Sequence, residues 1–232
     1  LKILNKKNIR SFLITGFVGI AFPAFLYTLA QTKIESGVAG VLNSLTPVFT
    51  LLVGIIVYRS FARYYNIIGV FIGFIGAFLL ISGGEKGTFT SVDWHALLIL
   101  LATICYGFNV NEIKHFLSGY SGIQIASISF LLIGPPAGIF LLCTDLTHAL
   151  SSDTGWLSFF HVATLAIFGS VIAMIIFNNL IRYTTTLFAS SVTYIIPIFA
   201  LTWGVFDGEM ILYYDIIGMI VILFGVFLVN KK

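Results

Sequence analysis

Residues 64–82 read YYNIIGVFIGFIGAFLLIS, a run without a charged side chain. The run lacks the alternation of polar and apolar residues that a β-barrel strand shows, so a helix is the structure that can carry it through a bilayer. Its length is close to the roughly 20 residues that cross about 30 Å of hydrocarbon. We therefore expect residues 64–84 to form a transmembrane helix.

The rest of the chain divides in the same way, because a charged side chain at the centre of a bilayer is costly. Only 9% of the 232 residues are charged and 59% are hydrophobic, whereas soluble domains have about 25% charged residues. A water-soluble globular domain is thereby excluded, and the sequence predicts an all-α membrane protein with eight transmembrane helices. The predicted segments are 12–31, 36–58, 64–84, 94–111, 121–143, 159–181, 187–206 and 211–230.

The basic residues lie in the short gaps between these segments. If residue 1 is cytoplasmic, ten of the twelve Lys and Arg fall on the cytoplasmic side, and Lys33 and Lys86 fall on the other. This distribution follows the positive-inside rule, so we expect both termini in the cytoplasm. The net charge of +3 comes from these scattered loop residues. It does not form the basic face that a nucleic-acid-binding protein needs.

An internal repeat relates the two parts of the chain. YYNIIG at 64–69 recurs as YYDIIG at 213–218, and a shift of about 150 residues aligns further positions upstream. Under the predicted topology the two copies enter the membrane from opposite sides, an arrangement typical of secondary carriers. We expect a first, incomplete repeat of three helices at 1–84 and a second repeat of five helices at 94–232. The further aligned pairs are Gly19 with Gly169, Ala39 with Ala189, Pro47 with Pro197 and Phe49 with Phe199.

The repeated residues also carry a family resemblance. The first copy has Ala39 to Leu45, Pro47, Phe49, Gly69 and Gly76, and the second has Ala189, Pro197, Gly208-Glu209, Gly218 and Gly225. This pattern resembles the EamA-type carriers of the drug/metabolite transporter superfamily, which implies a fold of two inverted five-helix repeats and a role in transport. Two departures stand out: the first two of ten helices have no counterpart here, which suggests a missing upstream piece, and Tyr58-Arg59 replaces Gly-Glu in the first copy.

Two equivalent polar faces are candidates for a binding site. Asn43 and Ser44 on the second segment correspond to Thr193 and Tyr194 on the seventh, where Ser190 lies one turn earlier. Pro47 and Pro197 should kink these helices and free the carbonyls of Asn43 and Thr193, which could then bind a ligand. The alternative is that the prolines only bend the helices and the small polar groups pack against neighbours.

Five further polar side chains interrupt apolar segments. They are Tyr27 and Gln31 on the first segment, Tyr106 and Asn109 on the fourth, and Asn178 on the sixth. The resemblance implies that these segments build the cavity walls, so each residue is a candidate for substrate contact. For each one alone, a hydrogen bond between helices is an equally good explanation.

The sequence contains no motif of an enzyme or a metal centre. The four histidines and two cysteines are scattered, and no Gly-rich phosphate loop with a Lys is present. We expect no cofactor and no metal.

No acid lies at mid-span for proton coupling, and Glu112 beside Lys114 and His115 is interpreted as an interfacial ion pair. The glycine pairs Gly69 with Gly73 and Gly134 with Gly138 should allow close helix packing.

These observations favour a multi-pass carrier that moves a small organic solute, such as an amino acid, a metabolite or a drug-like compound, by alternating access. The resemblance favours export. A truncated membrane protein with a structural or interaction role, or less readily a channel, remains open as an alternative. The expected partners are the small-molecule substrate, the lipid bilayer and a second copy in a homodimer, without nucleic acid, in the cell (inner or plasma) membrane.

Overall fold

A computed structural model describes most of the chain, namely residues 6–61, 63–82, 94–145, 150–151, 154–190, 192–193, 196–206, 208 and 213–231. These residues are helical with short connections and include no β-strand. The α-helices are α1 (Lys6–Gly16), α2 (Phe22–Ala30), α3 (Ser36–Asn43), α4 (Thr46–Ile56), α5 (Tyr64–Ser82), α6 (Trp94–Glu112), α7 (Gly122–Leu142), α8 (Gly155–Leu165), α9 (Ala173–Tyr183), α10 (Thr186–Ser190), α11 (Ile196–Phe206) and α12 (Tyr213–Asn230).

Several of these helices join end to end into longer helices, because crossing a bilayer takes about 20 residues. Three π-helical segments, Phe17–Ala21, Ile113–Leu117 and Ala166–Ile172, continue α1 into α2, extend α6 and connect α8 to α9. Among the described residues, five helical stretches are long and apolar enough to span a membrane, and the all-α membrane fold is thus confirmed. The five stretches are Asn8–Ala30, Ser36–Ile56, Trp94–Leu117, Gly122–Leu142 and Gly155–Tyr183.

The helices group into two compact units. The first unit comprises Leu1–Phe17 and Glu112–Thr184, and the second comprises Val18–Asn111 and Thr185–Lys232. Each unit therefore takes residues from both predicted repeats. The repeat boundaries at 1–84 and 94–232 remain a prediction.

Polar side chains fix helix ends within the first unit. Ser11 Oγ on α1 donates a 2.7 Å hydrogen bond to Glu112 at the end of α6. The Lys114 ammonium donates to the carbonyls at the C-terminal end of α9, including that of Thr184. Because a helix leaves its last carbonyls without intrahelical partners, this cation both satisfies them and complements the helix dipole.

Helices α5 and α12, which begin with the two copies of the repeated sequence, pack closely against each other in antiparallel directions within the second unit. A Cβ added to Gly69 would lie 2.5 Å from the carbonyl oxygen of Gly225, and one added to Gly76 would lie 3.0 Å from that of Gly218. Gly69 and Gly76 are the repeat equivalents of Gly218 and Gly225. Exchanging the two copies of the sequence motif therefore converts one contact into the other.

The residues that follow α4 and α11, which contain Pro47 and Pro197, share an uncommon backbone conformation. Arg59, after α4, has φ 55°, and Gly208, after α11, has φ 82°. Both residues lie a few positions before the Tyr-Tyr pair of their repeat. The left-handed conformation suits glycine but costs other residues roughly 1–2 kcal/mol, so the first copy retains the turn without its preferred residue.

Candidate functional site

A hydrogen bond joins two of the predicted site residues in the second unit. The Tyr27 hydroxyl on α2 donates to Asn43 Oδ1 at the end of α3, with 2.6 Å between the oxygens. The first and second predicted transmembrane segments are thus connected through side chains that the sequence marks as polar interruptions. A bond of this kind orients the Asn43 amide and the Tyr27 ring together.

A third candidate, Tyr106 on α6, packs against the same tyrosine. The rings of Tyr27 and Tyr106 are nearly parallel, at an interplanar angle of 27°, and their centroids are 6.2 Å apart. Offset stacking of this kind stabilises aromatic pairs by about 0.5–1.5 kcal/mol beyond simple burial. Tyr27, Asn43 and Tyr106 thus form one connected group drawn from three helices.

Asn109, one turn further along α6, contributes a buried amide. It is 6% exposed, and its Oδ1 accepts no hydrogen bond from any described residue. The amide lies directly over Gly19 in the π-helical segment, where an added Cβ would overlap it. A buried acceptor without a donor is unfavourable unless something else supplies the donor. Because a ligand N–H or O–H could do so, Asn109 completes what we call the central cluster: Tyr27, Asn43, Tyr106 and Asn109.

The proline break in the second segment has a local partner of its own. Helix α3 ends at Asn43, α4 begins at Thr46, and Pro47 lies in the first turn of α4. The Asn43 carbonyl, which has no intrahelical donor because Pro47 lacks an N–H, accepts from Thr46 Oγ1 at 2.7 Å. The Asn43 carbonyl, which we expected to be free for a ligand, is therefore already bonded to Thr46.

Other predicted site hydroxyls donate to the backbone carbonyl three residues earlier in the chain. Ser44 Oγ donates to the Val41 carbonyl at 2.6 Å, and Thr193 Oγ1 donates to the Ser190 carbonyl at 2.8 Å. Ser190 Oγ donates in the same way to the carbonyl of Leu187 at 3.0 Å. All three side chains are buried. Local bonds of this kind relieve carbonyls near helix breaks and leave the hydroxyls only acceptor capacity for a ligand.

The remaining candidates have different surroundings. Gln31 caps the end of α2 and is exposed. Asn178 belongs to α9 in the first unit, where it is buried and its Nδ2 has no acceptor among the described residues. Pro197 lies in the first turn of α11. Tyr194 lies outside the described residues.

Thr46 and Asn111 in this region were not singled out from the sequence, and Gly19 was named only as the repeat equivalent of Gly169. Asn111 Nδ2 donates to the carbonyls of Thr50 and Gly107, each at 2.8 Å, and so fastens α6 to α4. Its polarity within the run NVNE at 109–112 was an available signal. Gly19 could have been found only as half of a repeat pair, since nothing local distinguishes it from a packing glycine.

The central cluster carries no formal charge, because its four side chains are two phenols and two amides. In the described part of the chain, no three His, Cys, Asp or Glu side chains are grouped closely enough to hold a metal ion. The cluster is therefore equipped to recognise a ligand by hydrogen bonds and ring contact.

Comparison with known proteins gives the same general picture. The model of the family described as "EamA-like transporter family" matches residues 1–82 and 93–231. The chain is 29% identical to the "Uncharacterized inner membrane transporter YedA" of Escherichia coli K12, over 93% of this chain and 69% of that protein. It is 23% identical to an "Uncharacterized transporter" of Archaeoglobus fulgidus, over 100% of this chain and 81% of that one.

A solved structure also has a similar fold. One crystal structure superposes with a TM-score of 0.63, covering 94% of this chain and 74% of its own. The two sequences are 17% identical. The likeness therefore concerns the fold alone.

Proposed function

This chain belongs to the EamA-like transporter family, and on that premise we propose that it moves a small organic solute across the membrane by alternating access. The chain is a membrane transporter of the drug/metabolite type. The solute, the site and the mechanism are our proposal. The observation that carries the proposal is the central cluster, which combines a buried acceptor, an oriented amide and two stacked phenols in one unit.

The cluster favours a solute that carries a hydrogen-bond donor. Asn109 Oδ1 is buried without a donor, so an amine or hydroxyl group of the solute would relieve the cost of that burial. The faces of Tyr27 and Tyr106 offer contact to an apolar part of the same molecule, or to its amine. Amino acids and amphiphilic amines or metabolites have this combination.

The uncharged cluster also suits repeated release. Carriers must bind a solute firmly enough to select it and weakly enough to discharge it on the other side. Neutral hydrogen bonds contribute about 0.5–1.5 kcal/mol each, so two or three of them give selectivity without trapping the solute. A formal charge in the cluster would make the ligand harder to release.

Alternating access requires two inverted halves, and the contacts of α5 and α12 support that part of the proposal. Gly69 with Gly225, and Gly76 with Gly218, are contacts that exchange when the repeats are exchanged. In carriers built this way, one half rocks against the other around a site near mid-depth. We propose an inner-membrane location with both termini in the cytoplasm, and export as the direction of net transport.

Uptake into proteoliposomes tests the proposal. Purified full-chain protein is reconstituted, and a panel of radiolabelled amino acids, amines and neutral metabolites is screened for saturable uptake that the unlabelled solute stimulates from the opposite side. Such counterflow is expected of a carrier. A structural membrane protein would give no flux, and a channel would give flux without saturation or counterflow; either result would refute the proposal.

The site is tested by Tyr27→Phe, with Tyr64→Phe as its matched control. Tyr27→Phe keeps the ring and removes the bond to Asn43, which corresponds to about 1 kcal/mol and should raise KM about fivefold. Tyr64 is 76% exposed at the start of α5, so Tyr64→Phe should leave KM unchanged. Equal KM values for the two variants would remove the central cluster from the transport path.

A further inference from the structure

A second polar region of the second unit is a cavity of about 700 Å³, separate from the residues of the central cluster. It lies among the end of α4, the start of α5, the end of α6, α10 and the residue after α12. Two cationic side chains, Arg63 and Lys231, line it. Among the lining residues that the structure describes, none is an Asp or a Glu.

One asparagine holds the backbones of both cationic residues. Asn66 Oδ1 accepts from the backbone N–H of Arg63 at 2.8 Å. Its Nδ2 donates to the carbonyl of Lys231 at 3.3 Å and to that of Val229 at 2.7 Å. The start of α5 and the end of α12 are thus joined through their backbones, and Arg63 and Lys231 line the same cavity.

The Arg63 guanidinium is oriented but largely uncommitted. Its Nη1 donates to the Tyr65 hydroxyl at 2.8 Å, and the phenol ring lies 5.9 Å from the guanidinium carbon. A guanidinium has five N–H donors, and within the described part of the chain this one bond leaves the others available for a planar anion. Ser60 and Thr186 add hydroxyl groups to the same lining.

We propose that this cavity binds a carboxylate or phosphate group between Arg63 and Lys231. Cations that share a cavity without an acidic partner repel each other, and an anion between them removes that repulsion and gains charge-assisted hydrogen bonds. The group could belong to a free solute anion or to the headgroup of an anionic lipid, since both present the same oxygens. The proposal does not depend on the role of the central cluster.

Binding is measured with two probes on full-chain protein in phosphatidylcholine nanodiscs. Line broadening in ³¹P NMR reports the Kd of inorganic phosphate, and native mass spectrometry reports retention of phosphatidylglycerol that is added to the disc. Binding of phosphate indicates a site for a soluble anion. Retention of phosphatidylglycerol without phosphate binding indicates a lipid headgroup site. If wild-type protein binds neither probe, the proposal is overturned.

The cations are tested by Arg63→Gln and Lys231→Gln, each of which should weaken binding of the responsive probe about tenfold, as expected when one charge-assisted hydrogen bond is lost. Arg63→Lys should restore most of the affinity because it returns the charge. The matched control is Arg59→Gln, which removes one cation from the same loop without touching the lining. Equal weakening by Arg59→Gln and Arg63→Gln would show a diffuse surface charge and overturn the site.

Discussion

Replacing Gly69 by Ala should destabilise the protein through the contact between α5 and α12. The new Cβ would lie 2.5 Å from the carbonyl oxygen of Gly225 and 2.7 Å from the backbone nitrogen of Val229, whereas ordinary contact begins at 3.4 Å. Backbone atoms cannot rotate away as a side chain can, so α12 must retreat by close to an ångström. Overpacking of this kind costs typically about 1–3 kcal/mol.

The size of the effect can be measured as the free energy of unfolding in mixed micelles, by titration with sodium dodecyl sulfate followed by far-ultraviolet circular dichroism. Gly138→Ala on α7 is the matched control, because no described atom lies within 4 Å of its added Cβ. Only the higher helix propensity of alanine should act in Gly138→Ala, so this variant should have a free energy of unfolding higher than wild type by up to about 1 kcal/mol.

The same contact predicts how two substitutions combine. Gly225→Ala places its Cβ 2.5 Å from the backbone nitrogen of Gly73 and 2.7 Å from the carbonyl oxygen of Gly69. Once one alanine has separated the helices, the second meets a gap that is already open, so the double variant should lose less than the two single losses combined. Equal stability of Gly69→Ala and Gly138→Ala would refute the packing described here.

Two further substitutions test the helix ends. Arg59→Gly should raise the free energy of unfolding by up to about 1 kcal/mol, because glycine relieves the left-handed backbone at φ 55°; thermal unfolding in micelles measures this, and a lower stability than wild type would contradict it. Asn66→Ala should lower stability by about 2 kcal/mol, since it removes the bonds to the Arg63 N–H and the Val229 carbonyl. Hydrogen exchange at the start of α5 would rise with that loss, and unchanged exchange would show that the bonds of Asn66 are dispensable.

Segment boundaries were accessible from the sequence because charge and hydropathy determine them. The α5 run at 64–82 and the sixth segment are apolar enough to leave little alternative to helix. The π-helical segment between α1 and α2, by contrast, makes a tertiary contact that the sequence does not show. Phe17–Ala21 places Gly19 beneath the Asn109 amide, and such a contact between distant residues has no signature in local periodicity.

The residues of the candidate site could likewise be predicted from the sequence, whereas their hydrogen-bond partners could not. Polar residues in apolar helices identified Tyr27, Asn43 and Tyr106, which the structure brings together, and Asn109, which lies one turn from Tyr106 on α6. Sequence spacing could not decide what each hydroxyl binds. Ser44 and Thr193 each donate to the backbone carbonyl three residues earlier, which competes with any ligand for the hydroxyl proton.

Glycine spacing also proved insufficient to identify helix contacts. Gly69 and Gly73 meet neighbouring elements closely, as their spacing of four predicts, whereas Gly134 and Gly138 have no described atom within 4 Å of an added Cβ. The expectation of close helix packing at the second pair is therefore wrong within the described chain. Such spacing permits a close approach, but the partner surface decides whether it occurs.

The proposed transport mechanism requires that the two repeats cross the membrane in opposite directions. It is tested by single cysteines at Tyr64 and Tyr213, which begin α5 and α12 and are both exposed, in a background without Cys105 and Cys143. A membrane-impermeant maleimide should label the cysteine at 64 only from the cytoplasmic side and the cysteine at 213 only from the opposite side. Labelling of both from one side would contradict the inverted arrangement and the transport mechanism built on it.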